Sequence, residues 1–260
     1  MIIFFVIQFD AEMKSRRTTP LKINKAPAHA CTVESRLLML RKVPFFKSIS
    51  DADFERINRL FHHKSYNPDN IIYFSGDKAS FLFVVISGNV RLVKHSGDGK
   101  DVLIDILNPG DFLGTLEIFG ETCYKETAIA HTDACILSIS NEDFRSVLNT
   151  IPAIAVNLIE ILSERLKSSN DMIQQLSVKS VEKRIAFILL KLKSRLGVEY
   201  EKGSLIQIPL SRNDLAEMTG STPETASRVI SSYAKAGIIK TGRKWISIID
   251  SQKLSEIARN

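Results

Sequence analysis

The stretch Ser211-Arg-Asn-Asp-Leu-Ala-Glu-Met-Thr-Gly-Ser-Thr-Pro-Glu-Thr-Ala-Ser-Arg-Val-Ile-Ser-Ser-Tyr-Ala-Lys-Ala-Gly237 decides how the C-terminal third of the chain folds. Ser211 with Asp214 opens a capping-box pattern, and a short helix runs from there to Thr219-Gly220. After Ser221-Thr222, Pro223 stands near a first helical position and Gly237 just past a last one. Two short helices joined by a glycine-containing turn form a helix-turn-helix, whose second helix can enter the major groove of DNA. Spacing gives that helix two faces: Ala226, Val229, Ile230 and Tyr233 pack inward, while Glu224, Thr225, Ser227 and Arg228 face out. Arginine bonds guanine O6 and N7 bidentately, and glutamate accepts from cytosine N4. For the helix taken alone, Glu224 as a cap for Ser221, or paired with Arg228, stays an alternative.

Downstream, Ile238 to Ile249 reads as a hairpin turning at Thr241-Gly242, with Lys240, Arg243 and Lys244 placed near phosphates like a wing. Candidate DNA contacts are therefore Ser211, Arg212, Thr222, Glu224, Thr225, Ser227, Arg228, Arg243 and Lys244. Charge agrees. Residues 181–260 carry 14 Lys+Arg against 8 Asp+Glu, whereas residues 51–180 carry 12 against 18. A polyanionic partner fits the C-terminal third and not the middle.

At 260 residues, 44% hydrophobic and 25% charged, the chain has the composition of a globular protein long enough for two domains. Three cysteines without paired spacing provide neither a disulfide framework nor a zinc pattern, so a reduced cytoplasmic setting is expected. The apolar run Met1–Phe9 is shorter than the ~20 residues of a spanning helix. It also lacks the preceding basic residues of an export signal, so neither membrane nor secretion is expected. Met13 is an alternative start, and residues 14–30 read as a disordered arm.

Between these ends the hydrophobic period changes twice. Glu34–Leu40 and Asp51–Phe61 read as helices, the second capped by Ser50. Ile71–Phe74, Phe81–Ile86, Val90–Lys94, Val102–Leu107, Thr127–Ala130 and Cys135–Ser140 read as short strands separated by Gly/Pro/Asp turns, a compact antiparallel barrel or sandwich. After Pro152 a helix runs without a breaker to Val178, with Ile154, Leu158, Ile161, Leu162, Leu166, Ile173 and Leu176 on one side. Such a stripe is buried at home or against a second copy, and the seam of a dimer is favoured, including Leu158, Leu162, Leu166, Ile173 and Leu176. Ser169 and Asn170 interrupt the stripe and are free to face a ligand. A further helix spans 181–196 and ends at Gly197.

Over about residues 35–255 the chain resembles the Crp/Fnr family of bacterial transcription regulators. The resemblance rests on Phe83-Val-Val-Ile-Ser-Gly-Asn-Val90, Asn108-Pro-Gly-Asp-Phe-Leu-Gly114, Ala130-His-Thr-Asp133, the Asp171-to-Ala186 helix region and Leu210-Ser-Arg-Asn-Asp-Leu-Ala216. Glu224-Thr-Ala-Ser-Arg228 has the E-x-x-S-R form of the Fnr branch. The resemblance implies an α+β protein: an arm over 1–33, a β-roll of the cyclic-nucleotide-binding type (a double-stranded β-helix) over 34–150, a long dimerisation helix over 151–180 and a winged helix-turn-helix over 181–260. It implies a homodimer on a palindromic operator with TTGAT-like half-sites.

The sensor departs from the family pattern. Cyclic-nucleotide-binding relatives carry Glu after the strand-ending Gly and an Arg-Ser pair for the phosphate; here Gly114-Thr115-Leu116 and Tyr124-Lys125 stand instead. Cyclic AMP is therefore not the expected effector. Gly114, Thr115, Leu116, Tyr124, Lys125, Thr127, Ser169 and Asn170 remain candidates to line a pocket for another anion. The oxygen-sensing Fnr type holds an iron–sulfur cluster on four cysteines, and Cys31, Cys123 and Cys135 cannot supply them. Haem stays open through His62, His63, His95 or His131, as does a thiol switch through Cys123 or Cys135 beside a plain structural role.

The expected function is a DNA-binding transcription regulator answering an unidentified small-molecule or redox signal, with RNA polymerase as a partner if it activates. The alternative is a cyclic-nucleotide-binding regulatory subunit whose C-terminal third binds protein. No catalytic triad, Walker loop or metal-ligand cluster is present in the sequence, so no enzyme is expected.

Overall fold

The computed structural model describes residues 33–47, 49–95, 101–115, 123–200, 203–206, 208, 210–242 and 245–259. The arm expected at the N-terminus, Leu116, Arg243 and Lys244 lie outside them. The chain divides into two compact units, the described boundary falling between Gln174 and Gln175.

The first unit opens with α1 (Val33–Leu40), a 3-10 turn (Pro44–Phe46) and α2 (Asp51–Asn58). Ser50 caps α2 as its sequence predicts, its hydroxyl accepting from the Asp53 amide at 3.1 Å. Eight strands follow: β1 (His62–Tyr66), β2 (Ile71–Tyr73), β3 (Phe81–Ser87), β4 (Val90–His95), β5 (Asp101–Leu107), β6 (Phe112–Leu113), β7 (Thr127–Ala130) and β8 (Ala134–Ser140). They build two four-stranded antiparallel sheets, ordered β1-β8-β3-β6 and β2-β7-β4-β5.

Successive side chains of a strand point to opposite faces, and β3 buries both. Leu82, Val84 and Ile86 join a core with Phe45, Phe46, Phe54, Phe61 and Phe144. Phe83 and Val85 join a second core with Tyr73, Ala128 and Ala130 from the other sheet and with Tyr124, which precedes β7. β8 divides likewise, Leu137 and Ile139 to the first, Ile136 to the second. This is why both strands read as unbroken apolar runs rather than alternating ones.

Two helices close the unit: α3 (Asn141–Thr150), capped by Ser140, and α4 (Pro152–Val178). Phe144 and Val147 of α3 and Ile154 and Leu158 of α4 complete the first core. Leu158, expected in a dimer seam, is thus 4% exposed and spent at home.

The second unit contains α5 (Val181–Leu196), β9 (Gly197–Tyr200), β10 (Gly203–Ile206), α6 (Arg212–Thr219), α7 (Pro223–Lys235), β11 (Ile239–Gly242), β12 (Trp245–Ile248) and α8 (Ser251–Arg259). Its sheet is antiparallel in the order β11-β12-β10-β9.

Several expectations change at element edges. The helix expected to Phe61 stops at Asn58, because the Phe61 side chain turns into the first core. β1 escaped sequence reading because four of its five residues are exposed on an edge strand, which erases the alternation. The hairpin pairs Gly242 with Trp245, so its reversal falls after Gly242 rather than at Thr241-Gly242.

Phe45 is the aromatic hub of the first core, edge-on to Phe46, Phe112 and Phe144 at 4.5, 5.2 and 5.8 Å. Phe45→Ala is expected to cost about 3–5 kcal/mol of stability, read as a lower urea midpoint. An unchanged midpoint refutes its place as the hub.

Candidate nucleic-acid interface and effector region

The helix-turn-helix is fixed by its caps. The Ser211 hydroxyl accepts from the Asp214 amide at 3.0 Å, and the Asp214 carboxylate accepts from the Ser211 amide at 2.6 Å. At the other end of α6, Gly220 sits at φ 56, a left-handed C-cap that favours glycine. The guanidinium of Arg184 on α5 donates to the Gly220 carbonyl at 3.3 Å and ties the turn down.

α7 starts at Pro223 with Thr222 as its N-cap, whose hydroxyl accepts from the Thr225 amide at 3.2 Å. Glu224 is therefore not the cap. Nor does it pair with Arg228: among the described residues the ion pairs are Arg41–Asp51 and Arg91–Asp69. Ala226, Val229, Ile230 and Tyr233 are buried, while Glu224, Ser227 and Arg228 are exposed and Thr225 is half-buried. The buried Tyr233 hydroxyl donates to the Glu182 carbonyl on α5 at 2.8 Å. Burial first, and the Glu182 charge second, push that hydroxyl above the usual tyrosine range.

Among the other expected contacts, Ser211 and Thr222 spend their hydroxyls on caps. Arg212 is half-buried, and loss of water pulls its guanidinium below the usual arginine range, so a nearby phosphate gains a poorly hydrated cation. Lys240 is exposed on β11.

The effector candidates separate. Gly114 follows β6 at φ 105, and a Cβ there would stand 2.9 Å from the Phe81 carbonyl, so no side chain fits. The Thr115 carbonyl accepts from the Asn141 amide group at 3.1 Å, which binds the start of this loop to α3. Tyr124 is not at a pocket rim. Its ring stacks on Tyr73 at 3.9 Å, and its hydroxyl donates to the Phe81 carbonyl and accepts from the Phe81 amide. The Tyr73 hydroxyl donates to Glu126 at 3.0 Å, and burial followed by that carboxylate pushes it far above the usual tyrosine range. Thr127 is buried, accepting from the Ser75 amide at 3.1 Å and lying 3.2 Å from His95 Nε2. Lys125, Ser169 and Asn170 are exposed, the Ser169 hydroxyl donating to the Arg165 carbonyl one turn back.

Sequence reading missed Tyr73, Glu126, Asn141 and Arg165. The Arg165 guanidinium lies 3.9 Å over the Phe112 ring and donates to the Phe112 carbonyl at 3.1 Å, fastening α4 to β6. Only Arg165, a cation within an apolar stripe, carried a signal of its own. The histidines are scattered: His62, His63 and His95 are exposed and His131 is half-buried. Cys123 is half-buried with a free thiol, whereas Cys135, in the first core, is disulfide-bonded, which corrects the expectation that the cysteines form no disulfide. Among the described residues no group of three His, Cys, Asp or Glu could hold a metal ion. Among them, too, no single helix is long and apolar enough to cross a membrane.

Residues 63–150 match the cyclic nucleotide-binding domain family, and residues 183–257 match the Crp-like helix-turn-helix domain family. A cyclic AMP receptor protein of Thermus thermophilus is 29% identical over 215 residues, covering 83% of this chain and 96% of that protein. A CRP-like cAMP-activated global transcriptional regulator of Mycobacterium tuberculosis is 26% identical over 222 residues, covering 85% and 99%. The solved structure of FixK2 from Bradyrhizobium japonicum superposes with a TM-score of 0.69 at 25% identity, covering 77% of this chain and 98% of that one. A β-roll of the cyclic-nucleotide-binding type followed by a DNA-binding helix-turn-helix defines a transcription regulator, and the relatives are regulators rather than enzymes. Over both of these domains the chain is similar to regulators of the Crp type.

Proposed function

We propose that the protein is a homodimeric, cytoplasmic regulator of the Fnr-like branch that reads a palindromic operator with TTGAT-like half-sites. An unidentified signal at the β-roll controls it, and RNA polymerase is its partner where it activates. The observation that carries this reading is the division of α7. Ala226, Val229, Ile230 and Tyr233 are committed inward, and its N-terminal turns present Glu224, Ser227 and Arg228 to solvent. Thr225 lines the same depression as Arg228, Arg212 is a half-buried cation on α6, and Arg243 and Lys244 belong to the wing segment of the sequence.

Dimerisation is supported by the outer stripe of α4. Val156, Ile159, Leu162, Leu166 and Ile173 recur at helical spacing, and each is at least 43% exposed. An apolar stripe of that kind fits the seam of a coiled coil between two copies. Relative to the sequence expectation, Leu158 leaves the seam and Val156 and Ile159 enter it.

Cyclic AMP does not fit this roll. Counting along the chain puts Tyr124-Lys125 where a nucleotide-binding relative has its Arg-Ser pair, and Tyr124 is turned into the core, its hydroxyl bonded to the Phe81 amide and the Phe81 carbonyl. Thr115 replaces the ribose carboxylate, and Lys125 is exposed. A phosphate there lacks the bidentate fork that such sites depend on.

Three outcomes are expected. Arg228→Ala weakens binding to a duplex of inverted TTGAT half-sites by about 1–3 kcal/mol per half-site and relaxes preference at its guanine. Equal affinity of both proteins for that duplex and for random DNA in an anisotropy titration refutes the assignment. Leu166→Asp, at a 64% exposed position where folding is not at stake, yields monomers with weakened operator binding. A variant that sediments as a dimer moves the interface elsewhere. Micromolar cyclic AMP at fixed salt leaves operator affinity unchanged, and a tenfold gain overturns the reading of the roll.

A further inference from the structure

Beside α7, a shallow depression of about 410 Å³ is lined by Ser180, Glu182, Thr225, Arg228 and Ser232 among others. Most of this lining suits a polyanion. The first turn of the 16-residue helix α5 begins here, capped by the Ser180 hydroxyl, and a helix N-terminus attracts negative charge. Thr225 and Ser232 carry hydroxyls, and Arg228 is an exposed cation. Glu182 has the opposite character. Its carboxylate carries the sign of DNA phosphate, and it lies on the side of the unit that the preceding section assigns to DNA.

Nor is Glu182 free to move away with its backbone. Its carbonyl accepts the 2.8 Å hydrogen bond from Tyr233, a side chain only 1% exposed near the C-terminal end of α7. The upward push of the Glu182 charge on the Tyr233 hydroxyl shows that this charge is felt at α7. Glu182 and Arg228 line one depression, yet no ion pair joins them in the free protein.

Resting on the reading of α7 as the DNA-contacting helix, we propose that Glu182 is a specificity-determining residue: a carboxylate that penalises DNA docked without its correct bases and orients Arg228 when they are present. The penalty is like-charge repulsion of backbone phosphates, which acts on every sequence. The compensation is local. A carboxylate behind Arg228 draws one edge of the guanidinium toward the protein and leaves the other to meet guanine O6 and N7 in its planar fork. On random DNA the repulsion stands alone; on the operator it is offset. Specificity is a difference of affinities, and disfavouring the wrong complex is one of the two ways to create it. A role confined to the helix dipole of α5 predicts a change in stability with no change in discrimination.

The test titrates the full chain by fluorescence anisotropy against a labelled duplex of inverted TTGAT half-sites and a scrambled duplex of equal composition, across a salt series. Glu182→Gln is expected to bind the scrambled duplex about fivefold more tightly and the palindrome less than twofold more tightly. Its log-affinity against log-salt slope should steepen by about 0.9 per protomer. Glu182→Asp keeps the wild-type preference, and so does Glu256→Gln, which removes the same charge from α8 outside the depression. An equal gain on both duplexes, or no gain on either, overturns the assignment while the wild type still prefers the palindrome. A wild type that does not prefer the palindrome overturns the reading of α7 itself, and this inference with it.

Discussion

Strand β3 runs from Phe81 to Ser87 with both faces buried, and most of the first unit is organised by that constraint. One set of its side chains demands a layer of helices, which Phe45, Phe54, Phe144, Ile154 and Leu158 supply. The other demands a second sheet, which contributes Tyr73, Ala128 and Ala130. At about 25 cal/mol per Å² of apolar surface removed from water, neither layer can be left open without a large loss. α4 begins its course along the protein because its first turns complete this helical layer. From Val156 onward the other face of the helix carries the apolar stripe that turns outward.

The same division of labour appears in α7 at smaller scale. Four inward side chains and the Tyr233 hydrogen bond set the helix against α5 so firmly that its other face needs no structural role. Glu224, Ser227 and Arg228 can then be selected for what they meet outside the protein. The turn before them is held by Gly220 in the left-handed region and by Arg184 from α5. A recognition element is useful only when its presentation is rigid, and here rigidity comes from residues that face away from the ligand.

Much of this was legible in the residues. Pro152, Val178, Leu196 and Pro223 mark helix ends in the sequence and in the structure alike, because proline, glycine and capping side chains act locally. The faces of α7 followed from spacing alone. What escaped had nonlocal causes. β1 is a strand because β8 offers it a ladder, and nothing in His62-His-Lys-Ser-Tyr66 announces that. Tyr124 was placed by counting along the chain as a pocket residue, whereas its partners Tyr73 and Phe81 lie 43 or more positions away and turn it into core. Leu158 and Leu162 look equivalent on a helical wheel, yet one is 4% exposed and the other 43%. Only the position of the roll separates them.

The sequence holds one tryptophan, and it stands in the wing. Trp245 opens β12 opposite Gly242, where a Cβ would come within 2.2 Å of the indole nitrogen; the ring covers the place a side chain would occupy. The stacked Tyr73–Tyr124 pair lies in the other unit, inside the roll. Excitation near the red edge of the spectrum addresses the indole alone, while chiral absorption of the tyrosines reports their close stacking. The indole is therefore an intrinsic optical label confined to the second unit, and an event at the wing can be followed there without attaching a dye.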